Sequence, residues 1–280
     1  MNLIQAILMG IVQGLSEFLP ISSSAHLVFT SNFYKVFKGI EIADQSSQEI
    51  FFDIMLHLGT LIAVLIFFRK DIRIILKAMW KALKTRDYSD INAKVGFFIL
   101  FGTIITVLIA YPLHEFAEQL VFLPFVVGLL LLITGGILFL SEYLSKKAPQ
   151  KHEVDGKTAV FMSIAQGLAA LPGLSRSGLT IATGLFCGLD RTTAARFSFL
   201  LSIPIILGAS MVYPIVKLDL SELLSYNWFE IIVGTVVSGL VGYLCIKYFL
   251  KFVSKFSLNI FGIYCIIIGI FTSVFFYMNR

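Results

Sequence analysis

The chain has 280 residues, 58% of them hydrophobic and only 14% charged, with a mean hydropathy of +0.89. Soluble domains carry about 25% charged residues, so a soluble globular protein is excluded. The net charge of +5 comes from Lys and Arg in short loops, where membrane topology accounts for it, so no nucleic-acid partner is expected. Cys187, Cys245 and Cys265 lie within or beside apolar runs and form no CxxC pair. They suggest neither a disulfide framework nor a zinc site.

The N-terminus lacks the basic region of a cleaved signal peptide and reads as part of the mature fold. Residues 1–16 are apolar and helical in pattern but too short to span. Pro20 and the run Ser22-Ser23-Ser24 break them, and a short helical pattern resumes over 23–36. Two short helices around a polar break read as a re-entrant hairpin, which a membrane tolerates where protein or water satisfies the backbone. Residues 37–49 form a polar loop, and 50–68 a first span carrying Asp53 and His57. Within the basic stretch 69–94, Ile72–Leu83 has the spacing of a helix lying on the membrane surface. Spans follow at 95–111, ended by Pro112, and at 121–143. Residues 145–157 form a cytoplasmic linker. The second half repeats the plan, with a hairpin at 158–188 and spans at 191–213, 228–248 and 258–278.

The chain thus divides into repeats at 1–144 and 158–280. The fold class is an all-α polytopic membrane protein with two inverted-topology repeats, each one re-entrant hairpin plus three transmembrane helices. Loops 69–94, 145–158 and 247–255 are rich in Lys and Arg, whereas 112–120 and 214–227 are nearly devoid of them. One orientation satisfies all five: the first span runs from outside to inside. Three spans per half is odd, so the halves are inverted and the hairpin tips meet near the midplane.

The two hairpins share a motif. Met9–Leu27 reads MGIVQGLSEFLPISSSAHL, and Met162–Thr180 reads MSIAQGLAALPGLSRSGLT. Gln13 aligns with Gln166, and after a one-residue slip Ser23 falls opposite Ser175 and Ser24 opposite Arg176. One copy carries a carboxylate, hydroxyls and an imidazole; the other carries hydroxyls and a guanidinium. Matched broken segments of this kind point to one composite site.

Arg176 inside a membrane segment costs about 3 kcal/mol on insertion scales and is a functional hypothesis by default. With Ser175, Ser177, Thr180, the permissive Gly173 and a helix N-terminus, it suits phosphate. It also suits a carboxylate that locks the halves together. Glu17 is its complement, able to hold a divalent cation or act as a base, or merely to neutralise Arg176. Gln13, one turn back, orients water or ligand, or bonds to backbone. Ser22, Ser23 and Ser24 offer nucleophiles and helix caps, with Ser23 preferred for chemistry. His26 is a candidate acid, base or nucleophile. Asp53 and His57, four residues apart, fit a shared site or local pairing at a helix end. There is no GxSxG elbow, no GxxxxGK[ST] loop and no HExxH.

The segments VQGLSEFLPISSSAH, FDIMLHLGTLIAV, LPGLSRSGLTIATGLFCGLDR and FSFLLSIPIILGAS carry a resemblance that covers essentially the whole chain. The sequence resembles the undecaprenyl-diphosphatase, or bacitracin-resistance protein, family. The resemblance implies hydrolysis of a C55 polyprenyl diphosphate to the monophosphate. It implies a site on the outer side of the bacterial plasma membrane and a divalent cation, Mg2+ or Ca2+. Its expected partners are the lipid substrate and the bilayer, with a homodimer left open. The family's (E/Q)xxxE pattern falls on Gln13 and Glu17, its catalytic serine and histidine on Ser23 and His26, and its PGxSRSxxT motif on Pro172–Thr180. Gln13 stands where many members have glutamate, so the metal is placed on Glu17. The rival reading is a polyprenyl-phosphate transporter, which needs the anion site but neither Ser23 nor His26.

Overall fold

The computed structural model describes residues 2–37, 39, 47–145, 150–217 and 226–279. The loops expected at 37–49 and 214–227 lie largely outside these residues, as do 146–149 of the loop expected at 145–158. Among the described residues the chain forms α1 (Leu3–Ser16), α2 (Ser23–Phe37), α3 (Ser47–Phe67), α4 (Arg69–Thr85), α5 (Ile91–Leu120), α6 (Pro124–Ser145), α7 (Gly156–Leu168), α8 (Arg176–Phe186), α9 (Arg191–Lys217), α10 (Trp228–Val253) and α11 (Asn259–Met278). Six of them, α3, α5, α6, α9, α10 and α11, are long and apolar enough to cross a membrane. They are the helices of a multi-pass membrane protein.

α1, α2, α7 and α8 have 14, 15, 13 and 11 residues, too few to cross a bilayer. They form two helical hairpins, α1 with α2 and α7 with α8. Each hairpin leans on the other half of the chain, α1 along α10 and α7 along α5. Glycines let α1 and α3 approach α10 to backbone contact. A Cβ on Gly59 would stand 2.3 Å from the Thr235 carbonyl oxygen, and one on Gly14 2.7 Å from that of Ser238. Ser238 Oγ also donates to the Leu56 carbonyl at 2.8 Å. Lipid supplies no hydrophobic drive between helices, so such close packing and hydrogen bonding hold them together.

Two boundaries differ from the sequence expectation. Pro112 does not end the second span: α5 runs through it from Ile91 to Leu120 and takes in the HEFAEQ stretch expected as a loop. Proline forfeits one bond to the Leu108 carbonyl. Stopping the helix there would orphan several carbonyls beside the hydrocarbon, which costs more. α4 runs slightly longer than the helix expected at Ile72–Leu83. It turns Ile75, Ala78 and Ala82 inward and leaves Ile74, Leu76, Trp80 and Leu83 more than half exposed. That leaves an apolar outer face beside Lys77, Lys81 and Lys84, the pattern on which the surface-helix expectation rested.

The connection into the second hairpin is set by Asp155, which caps α7 by accepting from the Thr158 N–H at 2.8 Å. That backbone bond holds the Asp155 carboxyl below its ordinary value of 3.8. A lowered folded-state pKa contributes stability above the unfolded value and loses it as pH falls through the folded one. Asp155→Ala is therefore expected to cost about 1 kcal/mol at neutral pH. The gap to the parent should close below pH 3.8. Thermal unfolding in detergent across that range measures it.

Candidate active site

The break in each hairpin places its polar residues. After α1 ends at Ser16, the chain turns through Pro20 to Ser22, whose φ of 70° lies in the left-handed region. That backbone is uncommon for a residue with a side chain and concentrates at functional sites. It lets the Ser22 hydroxyl approach the Ala25 N–H, at 3.4 Å, and begin α2. In the second hairpin Gly173, with φ 102°, makes the corresponding turn. Its absent side chain admits the Val127 carbonyl of α6, which would stand 2.5 Å from a Cβ. Ser175 then caps α8 by accepting from the Gly178 N–H at 3.0 Å. Arg176 is the first residue of α8, so the two hairpin helices start close to each other.

Between these starts lies a cavity of about 420 Å³. The first turn contributes Glu17, Ser22, Ser23 and Ser24, and the second contributes Ala169, Ala170, Leu174 and Arg176. α3 adds Ile50, Asp53, Ile54 and His57; α9 adds Ile205, Ile206, Ala209 and Ser210. The cavity is polar where the turns meet and apolar along α3 and α9.

Glu17 is the hub. Arg176 Nη2 donates to its Oε1, an ion pair joining residues 159 positions apart. Ser23 Oγ donates to Oε2 at 2.8 Å, and Gln13 Nε2 donates to the same oxygen at 2.9 Å. His57 Nε2 lies 3.6 Å from it. The second guanidinium nitrogen, Arg176 Nη1, is buried without a partner, as is Gln13 Oε1. An uncommitted buried guanidinium N–H beside a cavity is what an incoming anion would satisfy.

The structure therefore brings Glu17, Ser22, Ser23, Ser24 and Arg176 to one cavity and sends other expected residues elsewhere. Gln13 stands behind Glu17, fully buried, and does not line the cavity. His26 does not line it either. Its Nδ1 lies 2.8 Å from the Ser22 carbonyl and its Nε2 2.8 Å from Tyr264 Oη on α11, so both ring nitrogens are engaged away from Arg176. The expected ligands around Arg176 already have partners within the protein. The Gly173 carbonyl accepts from Thr134, Ser175 is a cap, Ser177 Oγ donates to the Leu19 carbonyl at 2.9 Å, and Thr180 bonds Arg176 O and Ser198. Asp53 and His57, for which a shared site and local pairing were both expected, do both: His57 Nδ1 lies 2.8 Å from the Asp53 carbonyl oxygen, and the two side chains line the cavity. Their signal was present as two ionisable groups inside an apolar span.

The same geometry tests a resident divalent cation. Both Glu17 oxygens already have donors, one of them a guanidinium. Among the described residues no group of three or more His, Cys, Asp or Glu side chains could hold a metal ion. Magnesium and calcium want six or more oxygen ligands, so the side chains present do not fit one.

A family model described as "Bacitracin resistance protein BacA" matches residues 6–271. The chain belongs to the bacitracin resistance protein family. Curated members resemble it along nearly their full length. The undecaprenyl-diphosphatase of Methanobrevibacter smithii is 41% identical over 282 residues, covering 96% of each chain. That of Rubrobacter xylanophilus is 39% identical, covering 94% of each. Undecaprenyl-diphosphatase 1 of Pseudoalteromonas translucida is 36% identical, covering 98% of this chain and 99% of its own.

Proposed function

We propose that this chain is an undecaprenyl-diphosphate phosphatase. It hydrolyses the C55 lipid diphosphate to the monophosphate and phosphate, recycles the carrier of cell-wall polymers and confers bacitracin resistance. The carrying observation is the Ser23–Glu17–Arg176 chain of contacts: a hydroxyl held by a carboxylate that is paired to a guanidinium from the other hairpin, all at one cavity.

On this reading the terminal phosphate seats against Arg176, whose free Nη1 donates to it, with the first N–H groups of α8 adding positive potential. The isoprenoid lies along Ile54 and Ile206. Ser23 Oγ attacks the terminal phosphorus in line, and the bridging P–O bond breaks to release the lipid monophosphate. Water then cleaves the phosphoserine. Most of the rate comes from charge held ready for the transition state. His26 fixes the turn through its bond to the Ser22 carbonyl, and Gln13 orients Glu17. A magnesium or calcium ion would accompany the diphosphate, since the described side chains make no resident site for it.

The two hairpins belong to inverted repeats, a reading supported by the exchange in which α1 packs on α10 and α7 on α5. The cavity adjoins the start of α3 and the later part of α9, which border the stretches poor in Lys and Arg. The site is accordingly assigned to the outer side of the plasma membrane. Transport without hydrolysis has no observation of its own, whereas the relatives compared are named as diphosphatases.

Phosphate release from undecaprenyl diphosphate by detergent-purified protein tests the reading. Ser23→Ala is expected to reduce release at least about a thousandfold. Release at the parent rate by Ser23→Ala would remove the serine from the reaction.

A further inference from the structure

When Ser23 attacks phosphorus, its proton must go somewhere. The hydroxyl donates to Glu17 Oε2, but that carboxylate is fully engaged by Arg176, Gln13 and Ser23. A proton resting there would break one of these bonds. His57 supplies the next position. Its Nδ1 lies 2.8 Å from the Asp53 carbonyl oxygen. A carbonyl only accepts, so Nδ1 carries a hydrogen and Nε2 is the nitrogen with the free lone pair. That Nε2 lies 3.6 Å from Glu17 Oε2, the same oxygen that holds Ser23. A carboxylate also only accepts, so the two atoms attract once a proton stands between them.

We propose that His57 takes the Ser23 proton through Glu17, as a positioning residue that completes a serine–carboxylate–imidazole relay. This rests on the phosphatase reading above. As the Oγ–P bond forms and the bridging P–O bond breaks, the proton passes from Oγ to Oε2 and on to Nε2. The bridging electron pair leaves with the lipid monophosphate. When water cleaves the phosphoserine, its hydroxyl stays on phosphorus, its other proton leaves with the phosphate, and the proton on His57 returns to Oγ. The ionisable groups around the ring are Glu17, Arg176 and Asp53, with Glu49 one turn beyond Asp53 on α3. α9 brings Ile206 and Ser210 to the cavity but nothing ionisable. α10 meets this level of α3 through Thr235, Ser238 and Gly239, which do not titrate.

The test is the pH profile of phosphate release by the parent, His57→Gln, His57→Ala and Ser23→Ala, each checked for an unchanged thermal midpoint. His57→Gln is expected to lower kcat about a hundredfold with KM little changed. The acid-side fall of the parent profile, where Nε2 protonates, should disappear in that variant. Added imidazole should restore part of the rate of His57→Ala. Parent-like kcat in His57→Gln, or an acid-side fall that persists unchanged without imidazole rescue, overturns the relay. If the parent releases phosphate and Ser23→Ala does not, such a result removes His57 alone. If the parent itself releases none, the phosphatase reading and the relay fall together.

Discussion

Arg176→Ala is expected to lower kcat for phosphate release by about a thousandfold, the scale seen when a preorganised donor to a phosphoryl or oxyanion transition state is lost. The guanidinium has two tasks. Nη2 holds Glu17, and through it the hydroxyl of Ser23; Nη1 is buried and uncommitted. Charge on the transferring phosphoryl group grows toward the transition state, so the loss falls on kcat more than on KM. Arg176→Lys keeps the charge but not the planar fork and should fall between the two. The substitution also strands Glu17, whose side chain is only 5% exposed. Breaking a buried pair costs about 3 to 5 kcal/mol, which would confuse a rate measurement with unfolding. Adding Glu17→Gln to Arg176→Ala removes the stranded charge. That double variant should regain the thermal midpoint and stay inactive, because both residues belong to one assembly and their losses do not add. Equal loss of activity and stability in the single variant, with both restored in the double, would make the pair a structural lock.

Glu142→Ala is expected to destabilise the fold by about 3 to 5 kcal/mol without touching the cavity. Glu142 ends α6 and accepts from Arg191 twice, at 2.7 and 2.6 Å, and from the Leu258 N–H at 2.9 Å. It ties the start of α9 and the α10–α11 connection to α6. Its side chain is 2% exposed and that of Arg191 24%, so truncation leaves a largely buried guanidinium and an unsatisfied backbone donor. Glu142→Gln keeps an acceptor and should cost less. A double change to Leu at 142 and Met at 191 should recover much of the loss, as apolar replacements of buried ion pairs often do. Denaturant or thermal midpoints in detergent decide it, and parent-like stability of Glu142→Ala would contradict the assignment.

How much of this could be read from the chain follows from the range of each force. The six long helices were legible because apolar length is a local property, and α3, α6, α10 and α11 begin and end within a few residues of expectation. α5 outran its expected end because proline removes one hydrogen bond, while the environment penalises every unpaired carbonyl. That Glu17, Ser23 and Arg176 meet at one cavity was legible because Glu17 and Arg176 are expensive in an apolar segment and all three sit at the matched breaks. The hydrogen bonds that Ser175 and Ser177 make were not. A hydroxyl that caps a helix and one that grips a phosphate have the same sequence signature, and only the Gly178 N–H and the Leu19 carbonyl separate them. His57 was legible only in part. Four-residue spacing from Asp53 explains it locally, whereas its approach to Glu17 crosses from α3 to the first turn. His26 has an imidazole suited to proton transfer, yet the partner that engages it, Tyr264, is 238 residues away.

The central claim is that the diphosphate seats where the two hairpin turns meet. A structure with a bound methylene-bridged analogue of a polyprenyl diphosphate tests it most directly. The account predicts the terminal phosphorus about 3 to 3.5 Å from Ser23 Oγ, with Arg176 Nη1 donating to one of its oxygens and the isoprenoid leaving past Ile54 and Ile206. An analogue bound elsewhere, for instance in the cavity of about 280 Å³ lined by Asp71, His152, Thr193 and Arg196, with Arg176 still committed to Glu17 alone, would contradict it.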